Sequence, residues 1–238
     1  MSTESEARHR EGKNIVVEEN GPYLVFGDLP LVRKTQVVSE YGEPLTWQTG
    51  ATLETDEAYR LCRCGASNTK PFCDDSHLRA HFDGTETAET APTSTRQITY
   101  EDTTGIVVRR DHHFCMDAGF CGTRLANIVK LSAMTKDPQV RSLVMAMIER
   151  CPSGSLTYAL REGEPDVEPN LPQQVAVATE MTSDGPIMGP LWVTGNIPVE
   201  RADGQQLETR NRVALCRCGM SQRKPLCDGM HREAGIRE

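Results

Sequence analysis

Aromatic residues are scarce in this chain, at 5% of its 238 residues. Small folding units without large aromatic side chains bury little apolar surface, so we expect lean hydrophobic cores. Units of this kind usually need a further source of stability, and metal binding can supply it. The length itself allows one or two ordinary domains.

Long apolar runs are also missing. None approaches the ~20 residues of a membrane-spanning helix, and residues 143–148 are among the longest. Residues 1–6 are polar and acidic, unlike a secretory signal or an Arg-rich transit peptide. The net charge of −8 argues against a phosphate-binding nucleic-acid surface. These absences predict a soluble protein of a reducing compartment, most simply the cytoplasm, with neither a membrane nor a nucleic acid as its partner.

Cysteine, in contrast, is plentiful, with nine residues. An odd number cannot pair fully in intramolecular disulfides, and metal binding is the better explanation without a secretion signal. Six of the nine lie in two copies of one pattern: Cys, any residue, Cys, eight residues, Cys, three residues, His. The copies span residues 61–77 and 215–231, and each matched residue recurs 154 positions later. Three thiolates and an imidazole at a repeated spacing predict two metal sites, formed by Cys62, Cys64, Cys73 and His77 and by Cys216, Cys218, Cys227 and His231.

The repeat extends beyond the cysteines. Residues 21–31 and 189–199 each hold a short apolar strand between Gly-Pro and Gly-Asp or Gly-Asn turn signals. Their offset is 168, so the first copy carries 14 more residues before its cysteines, between Arg33 and Tyr59. Each repeat is therefore predicted to be a strand-rich platform followed by a metal loop. We expect the two repeats to pack as a pseudo-twofold pair within a monomer.

A different unit separates the repeats. It is predicted to open with a hairpin at residues 97–108, with its turn at 102–105, and to become helical from about Thr123. Asp137 and Pro138 are typical of a helix start, and apolar residues then recur at helical spacing until Cys151. The predicted fold class is α+β, with this segmentation: a frayed tail (1–13), a first module (14–83), a linker (84–96), a central domain (97–162) and a second module (163–238).

The two outer motifs resemble the CDGSH iron–sulfur domain, whose pattern is C-x-C-x2-[S/T]-x3-P-x-C-D-G-[S/A]-H. The resemblance implies a small β-rich fold that holds a [2Fe–2S] cluster on three cysteines and one histidine, usually in homodimers or tandem pseudo-dimers. It assigns the eight residues above as cluster ligands. The chain departs from the pattern at Asp75, which replaces a glycine, and at Met230, which replaces a small residue. Neither change affects a ligand, but both put the tuning of the clusters in question.

Other motif residues are expected near the clusters. A helical turn would place the last Cys and the His of each motif on one face, and Asp74 and Asp228 would cap that helix. Arg63 and Arg217 stand at matched positions and would offset the negative charge of a cluster. The residues predicted to contact the clusters are Ser67, Lys70, Asp74, Ser221, Lys224 and Asp228.

The remaining cysteines, Cys115, Cys121 and Cys151, lie in the central unit. Their pattern resembles a divergent single-cluster ferredoxin over residues 97–160, with alanine in place of the middle cysteine at position 118. Three thiolates suit a [3Fe–4S] cluster, or a [4Fe–4S] cluster with a fourth ligand among the candidates Asp117, His112 and His113. The alternative is three buried thiols in a small α+β domain.

The leading functional hypothesis is a non-enzymatic iron–sulfur protein that carries electrons through two [2Fe–2S] clusters and one [3Fe–4S] or [4Fe–4S] cluster. An alternative is cluster storage and transfer, or redox or pH sensing, because a single histidine ligand can protonate and dissociate. A structural zinc protein is the third possibility. No phosphate loop, catalytic triad order or dinucleotide fingerprint is present, so we do not expect an enzyme. The expected partner is an unidentified redox or cluster-acceptor protein.

Overall fold

The computed structural model describes residues 12–100 and 105–237. Of the predicted tail, only residues 12 and 13 belong to this described part. The helices are α1 (Ser76–Arg79), α2 (Ile128–Ser132), α3 (Pro138–Arg150) and α4 (Met230–Ala234). The strands are β1 (Asn14–Val17), β2 (Tyr23–Phe26), β3 (Leu31–Val38), β4 (Pro44–Leu53), β5 (Tyr59–Leu61), β6 (Ile98–Tyr100), β7 (Val107–Arg110), β8 (Leu156–Ala159), β9 (Gln174–Thr182), β10 (Gly185–Thr194), β11 (Val199–Glu200) and β12 (Arg212–Leu215).

The two repeats build matching sheets. The first sheet has the strand order β11-β1-β2-β5, and the second has the order β12-β10-β9-β3-β4. In the first, β2 pairs antiparallel with β1 and β5. In the second, β10 pairs in the same way with β9 and β12. Each repeat therefore supplies an antiparallel three-stranded unit that leads into its own cysteine motif.

Each repeat also gives a strand to the sheet of the other. β3 of the first repeat runs parallel to β9 of the second, with Leu31 opposite Val175. β11 of the second repeat runs parallel to β1 of the first, with Val199 opposite Ile15. Leu31 and Val199 occupy the same position of the repeat, so the exchange is reciprocal. Neither sheet is complete within one repeat, and the two repeats pack against each other in one chain.

One hydrophobic core serves both repeats. The parallel pairing of β3 with β9 and of β1 with β11 brings the apolar faces of the two sheets together. The first repeat contributes the buried residues Ile15, Val17, Tyr23, Val25, Leu29, Leu31, Tyr59 and Leu61. The second contributes Val175, Val177, Leu191, Val193, Ile197, Val199, Leu207, Val213, Leu215 and Leu226.

The 14 additional residues of the first repeat fall in the region that contains β4, the outer strand of the second sheet. The ring of Trp47 on this strand packs against the rings of Phe120 and Trp192, with both centroid separations 5.6 Å. Gln36 on β3 also donates a hydrogen bond to the carbonyl oxygen of Ala118 at 3.2 Å. Phe120 and Ala118 belong to the central unit, so the β3–β4 hairpin holds that unit against the paired repeats.

The central unit is a three-stranded sheet, β6-β7-β8, covered by two helices. The predicted hairpin is present as antiparallel β6 and β7, while residues 101–104 of its turn lie outside the described residues. The predicted start of α3 is confirmed, since the side chain of Asp137 accepts hydrogen bonds from the backbone N–H groups of Gln139 and Val140. The mixture of small β-rich modules and this unit confirms the α+β class.

The prediction of helix from about Thr123 is wrong by five residues, because α2 begins at Ile128. The hydroxyl of Thr123 accepts hydrogen bonds from the backbone N–H groups of Leu125 and Ala126, which closes a turn in place of a helix. The side chain of Asn127 then caps α2. Thr and Asn side chains that bond nearby backbone groups favour such turns and caps over helix interiors.

The segment predicted as a linker, residues 84–96, lies along the second repeat. The backbone N–H groups of Thr87 and Ala88 donate to the carbonyl oxygen of Lys224 at 2.9 and 3.0 Å. Ala88 is only 1% exposed and joins the shared core, a contact that the polar composition of the segment does not predict. Among the helices of the described residues, none combines the length and the apolar character needed to cross a bilayer.

Candidate iron–sulfur centres

Each outer motif brings its four predicted ligands together as two close pairs. In the first motif, the Sγ atoms of Cys62 and Cys64 are 3.7 Å apart, and Sγ of Cys73 lies 3.6 Å from Nδ1 of His77. In the second motif, the corresponding Sγ–Sγ distance is 3.6 Å and the Sγ–Nδ1 distance is 3.4 Å. The structure thus brings the eight residues together in matching pairs, and their role as metal ligands stays a prediction.

These pair distances fit one tetrahedral metal per pair. With metal–sulfur and metal–nitrogen bonds of about 2.3 and 2.0 Å, tetrahedral geometry requires an S–S distance of about 3.8 Å and an S–N distance of about 3.5 Å. A single zinc ion would instead draw all four ligand atoms together. In the described part of the chain, the only three such ligand atoms within 4.8 Å of one another belong to Cys73, Asp75 and His77. The donor sets therefore suit a two-metal centre better than a single ion.

The local fold of each motif explains how four ligands meet. β5 ends at Leu61 and β12 ends at Leu215, and in both places the backbone then turns through Cys-x-Cys. It returns to form a single antiparallel bridge with the last residue of the strand, from Phe72 to Leu61 and from Leu226 to Leu215. The backbone N–H of Cys62 donates to the carbonyl oxygen of Pro71 at 2.8 Å, and Cys216 repeats this bond with Pro225. Both prolines follow a cis peptide bond. The same backbone path therefore presents the ligands in both copies.

The prediction of one helical turn from Cys to His is wrong. α1 begins at Ser76 and α4 begins at Met230, so each third cysteine precedes the helix. Between them, Asp75 has a φ of 62° and Gly229 has a φ of 94°. This left-handed residue reverses the chain, and glycine or aspartate tolerates it best. The reversal lets the cysteine approach the histidine across the turn.

The other predicted contact residues brace these loops. The hydroxyl groups of Ser67 and Ser221 both donate to backbone carbonyl oxygens at 2.7 Å. The carboxylates of Asp74 and Asp228 each accept hydrogen bonds from the first backbone N–H of the following helix and from the Cys-rich loop. They therefore bond the first N–H of each helix from the position before the N-cap, which is Asp75 in the first motif and Gly229 in the second.

The two matched lysines are used differently. Nζ of Lys70 donates to the carbonyl oxygen of Ser67, whereas Lys224 accepts backbone hydrogen bonds from residues 87 and 88. Direct contact of these lysines with a cluster stays a prediction.

Arg63 and Arg217 are buried arginines that hydrogen-bond to backbone carbonyl oxygens. They are 1% and 2% exposed, although charged residues of this kind usually lie in water. The guanidinium of Arg63 donates to the carbonyl oxygens of Glu18 and Gly84, and that of Arg217 donates to those of Gly189 and Ala178. Arg63 thereby ties the first Cys-x-Cys loop to the end of β1 and to the segment 84–96, and Arg217 ties the second loop to β9 and β10.

The thiols of each Cys-x-Cys pair differ in acidity. A hydrogen bond from Cys64 lowers the pKa of Cys62 to about 6, and one from Cys218 lowers the pKa of Cys216 to about 6. Burial raises the pKa of Cys227 well above its usual value. Because the thiolate is the form that binds metal, a lowered pKa favours the metal-binding form of Cys62 and of Cys216.

The two ligand loops touch each other. A Cβ atom on Gly65 would lie 2.6 Å from the carbonyl oxygen of Cys218, and one on Gly219 would lie 2.6 Å from that of Cys64. Each glycine directly follows the second cysteine of its motif. The hydroxyl of Tyr23 in the first repeat also donates to the carbonyl oxygen of Cys216 at 2.7 Å. The two outer sites are therefore in direct backbone contact.

The three central cysteines line one small cavity together with Asp117, Arg110 and the serines 153 and 155. Arg110 donates to Sγ of Cys115 at 3.4 Å, and Oγ of Ser153 lies 3.5 Å from Sγ of Cys151. The shared cavity favours a cluster over the alternative of three buried thiols, since all three cysteines are only partly buried.

Among the three candidates for a fourth ligand, Asp117 lines the cavity. His112 and His113 are not among its lining residues, and Nε2 of His113 accepts a hydrogen bond from the backbone N–H of Glu89.

The central loop, residues 115–121, rests on the second motif. A Cβ atom on Gly229 would lie 3.0 Å from the carbonyl oxygen of Met116, and Met116 packs in one apolar cluster with Cys227. The guanidinium of Arg223 donates to the carbonyl oxygens of residues 112, 113 and 115 at 2.7, 2.7 and 2.9 Å. The central site is therefore next to the second motif.

Some residues at these sites were not identified from the sequence. Arg110 and Ser153 give no motif signal, since single arginines and serines are common. Glu180 lies 51 residues before His231 in the chain, yet its carboxylate is 3.1 Å from the imidazole. The first repeat has no matching glutamate from which the importance of Glu180 could have been recognised. Only the three-dimensional pairing of β9 with β10 brings it to the site.

Comparison with protein families agrees with this geometry. Residues 20–78 and 188–232 match the family described as iron-binding zinc finger CDGSH type. Residues 101–161 match the family described as divergent 4Fe-4S mono-cluster. The chain is therefore an iron–sulfur protein in which two CDGSH-type domains flank a divergent mono-cluster domain, as the sequence predicts. No curated protein and no solved structure matched the chain.

Proposed function

We propose that this protein is a non-enzymatic electron carrier with three iron–sulfur centres. Each outer motif would hold a [2Fe–2S] cluster on its two ligand pairs. The central cavity would hold a [3Fe–4S] cluster, or a [4Fe–4S] cluster whose fourth ligand is Asp117. Such clusters supply one-electron chemistry at potentials set by the surrounding charge, hydrogen bonds and exposure.

The observation that carries this proposal is the serial contact of the three sites. The central loop touches the second motif at Gly229, and the second motif touches the first at Gly65 and Gly219. The second site is thus the middle of the series. Its three cysteines are buried, whereas Cys64 and Cys73 of the first site are partly exposed. An electron route of this order would begin or end at the more exposed first site, where an external redox partner has access.

The remaining expectations form part of the proposal. The carrier would act in a reducing compartment, most simply the cytoplasm, as a monomer with an unidentified redox protein as its partner. All nine cysteines are free, which supports a reducing environment. The exchange of strands within one chain supports the monomer, because it already gives each repeat its partner.

The order of the three centres can be tested by electron paramagnetic resonance (EPR) spectroscopy of the fully reduced protein. A [4Fe–4S] central cluster is recorded in the usual perpendicular mode, and a [3Fe–4S] central cluster, which has integer spin when reduced, is recorded in parallel mode. Neighbouring paramagnetic clusters broaden each other's signals and speed their relaxation, and this effect falls steeply with distance. Cys227→Ala should remove the second cluster and sharpen the signals of both remaining clusters. Cys73→Ala should remove the first cluster and leave the central signal nearly unchanged.

The two substitutions are matched controls, since each removes the third cysteine of its own motif. Iron content and far-UV circular dichroism would establish that the other sites and the fold remain. A central signal that changes more in Cys73→Ala than in Cys227→Ala would contradict the proposed order. Three signals without mutual broadening in the unmodified protein would contradict the serial arrangement.

Cluster transfer is the second candidate, favoured by the partial exposure of Cys64 and Cys73. A donor should pass its first cluster to an apo-ferredoxin without exogenous reductant. A carrier should keep all clusters through repeated reduction and reoxidation. Absorption spectra of the two proteins after separation distinguish these outcomes.

A further inference from the structure

The two histidine ligands have different surroundings. His77 is 8% exposed and shares its side of the first site with the exposed carboxylate of Asp75. His231 is 1% exposed, and its Nε2 lies 3.1 Å from Oε1 of Glu180. Nδ1 of His231 faces Cys227, so the two ring nitrogens point to different groups. The second site therefore has a carboxylate at the ring nitrogen of His231 that faces away from Cys227. In the first site the carboxylate of Asp75 lies next to the ligand atoms of Cys73 and His77.

Glu180 is held in place by the fold. Its side chain is 0% exposed, and its other oxygen lies 2.7 Å from Nε of Arg232, the residue that follows His231. It stands on β9 opposite Ile187 of β10. The equivalent strand β1 stops at Val17, so the first repeat has no strand residue at this place. A buried carboxylate is costly unless it is paired, and the only side chains paired with it at these distances are His231 and Arg232 in the described residues.

This arrangement suits a ligand histidine. When Nδ1 binds iron, Nε2 carries the proton. Oε1 of Glu180 lies 3.1 Å from Nε2, and in this structure both atoms are buried without a hydrogen-bond partner, so the carboxylate is placed to accept that proton in a hydrogen bond. Such a hydrogen-bond partner fixes the tautomer and the orientation of the ring, and it raises the basicity of the imidazole as a metal ligand. In the first site Asp75 is instead paired with Arg60 at 2.6 Å and adds exposed charge near Cys73. Asp75 is therefore engaged with Arg60 and Cys73, and it does not play the part for Nε2 of His77 that Glu180 plays for Nε2 of His231.

We propose that Glu180 is a positioning residue that makes the second centre the retained one and leaves the first as the exchangeable one. This inference rests on the proposed iron ligation by His77 and His231. It divides the roles of two sites whose ligand motifs are alike. The retained centre would then serve internal electron passage, and the exchangeable centre would serve external exchange of iron or of the cluster.

A chelator challenge of the anaerobic holoprotein at constant neutral pH tests the inference, with bathophenanthroline as the probe. Loss of the outer clusters should be biphasic, and Cys73→Ala should lack the fast phase. Glu180→Gln keeps the size and an acceptor oxygen but removes the charge, while Glu180→Ala removes both. We expect Glu180→Ala to speed the slow phase by about 10- to 100-fold, the usual effect of losing an outer-shell partner. Glu180→Gln should have a smaller effect.

A second readout separates positioning from general stability. The coupling of the imidazole nitrogens to the reduced second cluster, measured by pulsed EPR, should change in Glu180→Gln, and its reduction potential should rise. Asp75→Gly is the matched control, since it alters a carboxylate at the first site. It should leave the slow phase and the coupling unchanged.

Three results would overturn the inference. The first is a single rate of loss for both outer clusters in the unmodified protein. The second is a slow phase that Glu180→Ala and Glu180→Gln do not alter. The third is an unchanged nitrogen coupling in a folded Glu180→Gln variant. An unmodified protein without a [2Fe–2S] signal from the second motif would instead refute the proposed function itself.

Discussion

A fragment of residues 163–238, the second repeat alone, should not fold, even when iron and sulfide are supplied. It lacks β3, which pairs with β9 along five residues from Leu31 to Thr35. It also lacks half of the shared core, including the fully buried Tyr23 and Leu61. Exposing even five large apolar side chains costs about 8–15 kcal/mol at 1.5–3 kcal/mol each. That cost is comparable to the whole stability of a typical domain, about 5–15 kcal/mol.

The fragment can be judged by far-UV circular dichroism and by the dispersion of amide proton signals. Co-expression with residues 12–162 is the matched control, because it returns β3 and the other half of the core. The pair should give a folded and coloured complex. A folded monomer from residues 163–238 alone would show that the strand exchange does not determine stability.

Alanine at Gly219 should be strongly destabilising although it leaves every ligand intact. Its φ of 80° lies in the left-handed region, where an L-residue costs about 1–2 kcal/mol. The added methyl group would also lie 2.6 Å from the carbonyl oxygen of Cys64, a backbone atom that cannot rotate away. Overpacking adds about 1–3 kcal/mol. We expect a loss of about 3 kcal/mol in the free energy of unfolding, with a similar loss for Gly65→Ala at the reciprocal contact.

Gly204 provides the control for this substitution. Its φ of 81° is nearly the same, but a Cβ atom there would have no neighbour within 4 Å. Gly204→Ala therefore reports the backbone strain alone, about 1–2 kcal/mol. Denaturant unfolding of the anaerobic proteins measures the difference. Equal losses for Gly204→Ala and Gly219→Ala would show that the two ligand loops do not press on each other.

The sequence predicted the ligand sets because the chemistry is local. A spacing of Cys, Cys, Cys and His carries its own geometry, and its recurrence 154 residues later marks both sites. The left-handed conformation at Asp75 could also be expected, since that residue replaces a glycine of the motif. The repeat of the flanking strand likewise predicted that two similar units would pack together.

The relations between the units could not be predicted in the same way. Reciprocal exchange of β3 and β11 depends on pairing between strands more than 140 residues apart, which no local pattern encodes. The same holds for Glu180, whose role depends on the extra length of β9 over β1. The burial of Ala88 is a third example, because a single alanine in a polar segment carries no apolar period.

The central site lies between these two cases. Its cysteines follow a recognisable pattern, and the structure gathers them around one cavity. The choice among three candidate fourth ligands required the fold, which places Asp117 at the cavity and turns His113 toward residue 89. The sequence could not make that choice, since the three residues lie within six positions of one another.

Mössbauer spectroscopy of anaerobically purified ⁵⁷Fe-labelled protein, with iron, zinc and sulfide assays on the same sample, tests the central claim most directly. We expect iron and sulfide in both kinds of site. Two similar contributions should come from the [2Fe–2S] clusters. In each cluster one iron has only sulfur ligands, and the other has one histidine among its ligands. A separate contribution should come from a three- or four-iron cluster that Cys115→Ala removes. A colourless protein that holds stoichiometric zinc and no inorganic sulfide would contradict the account.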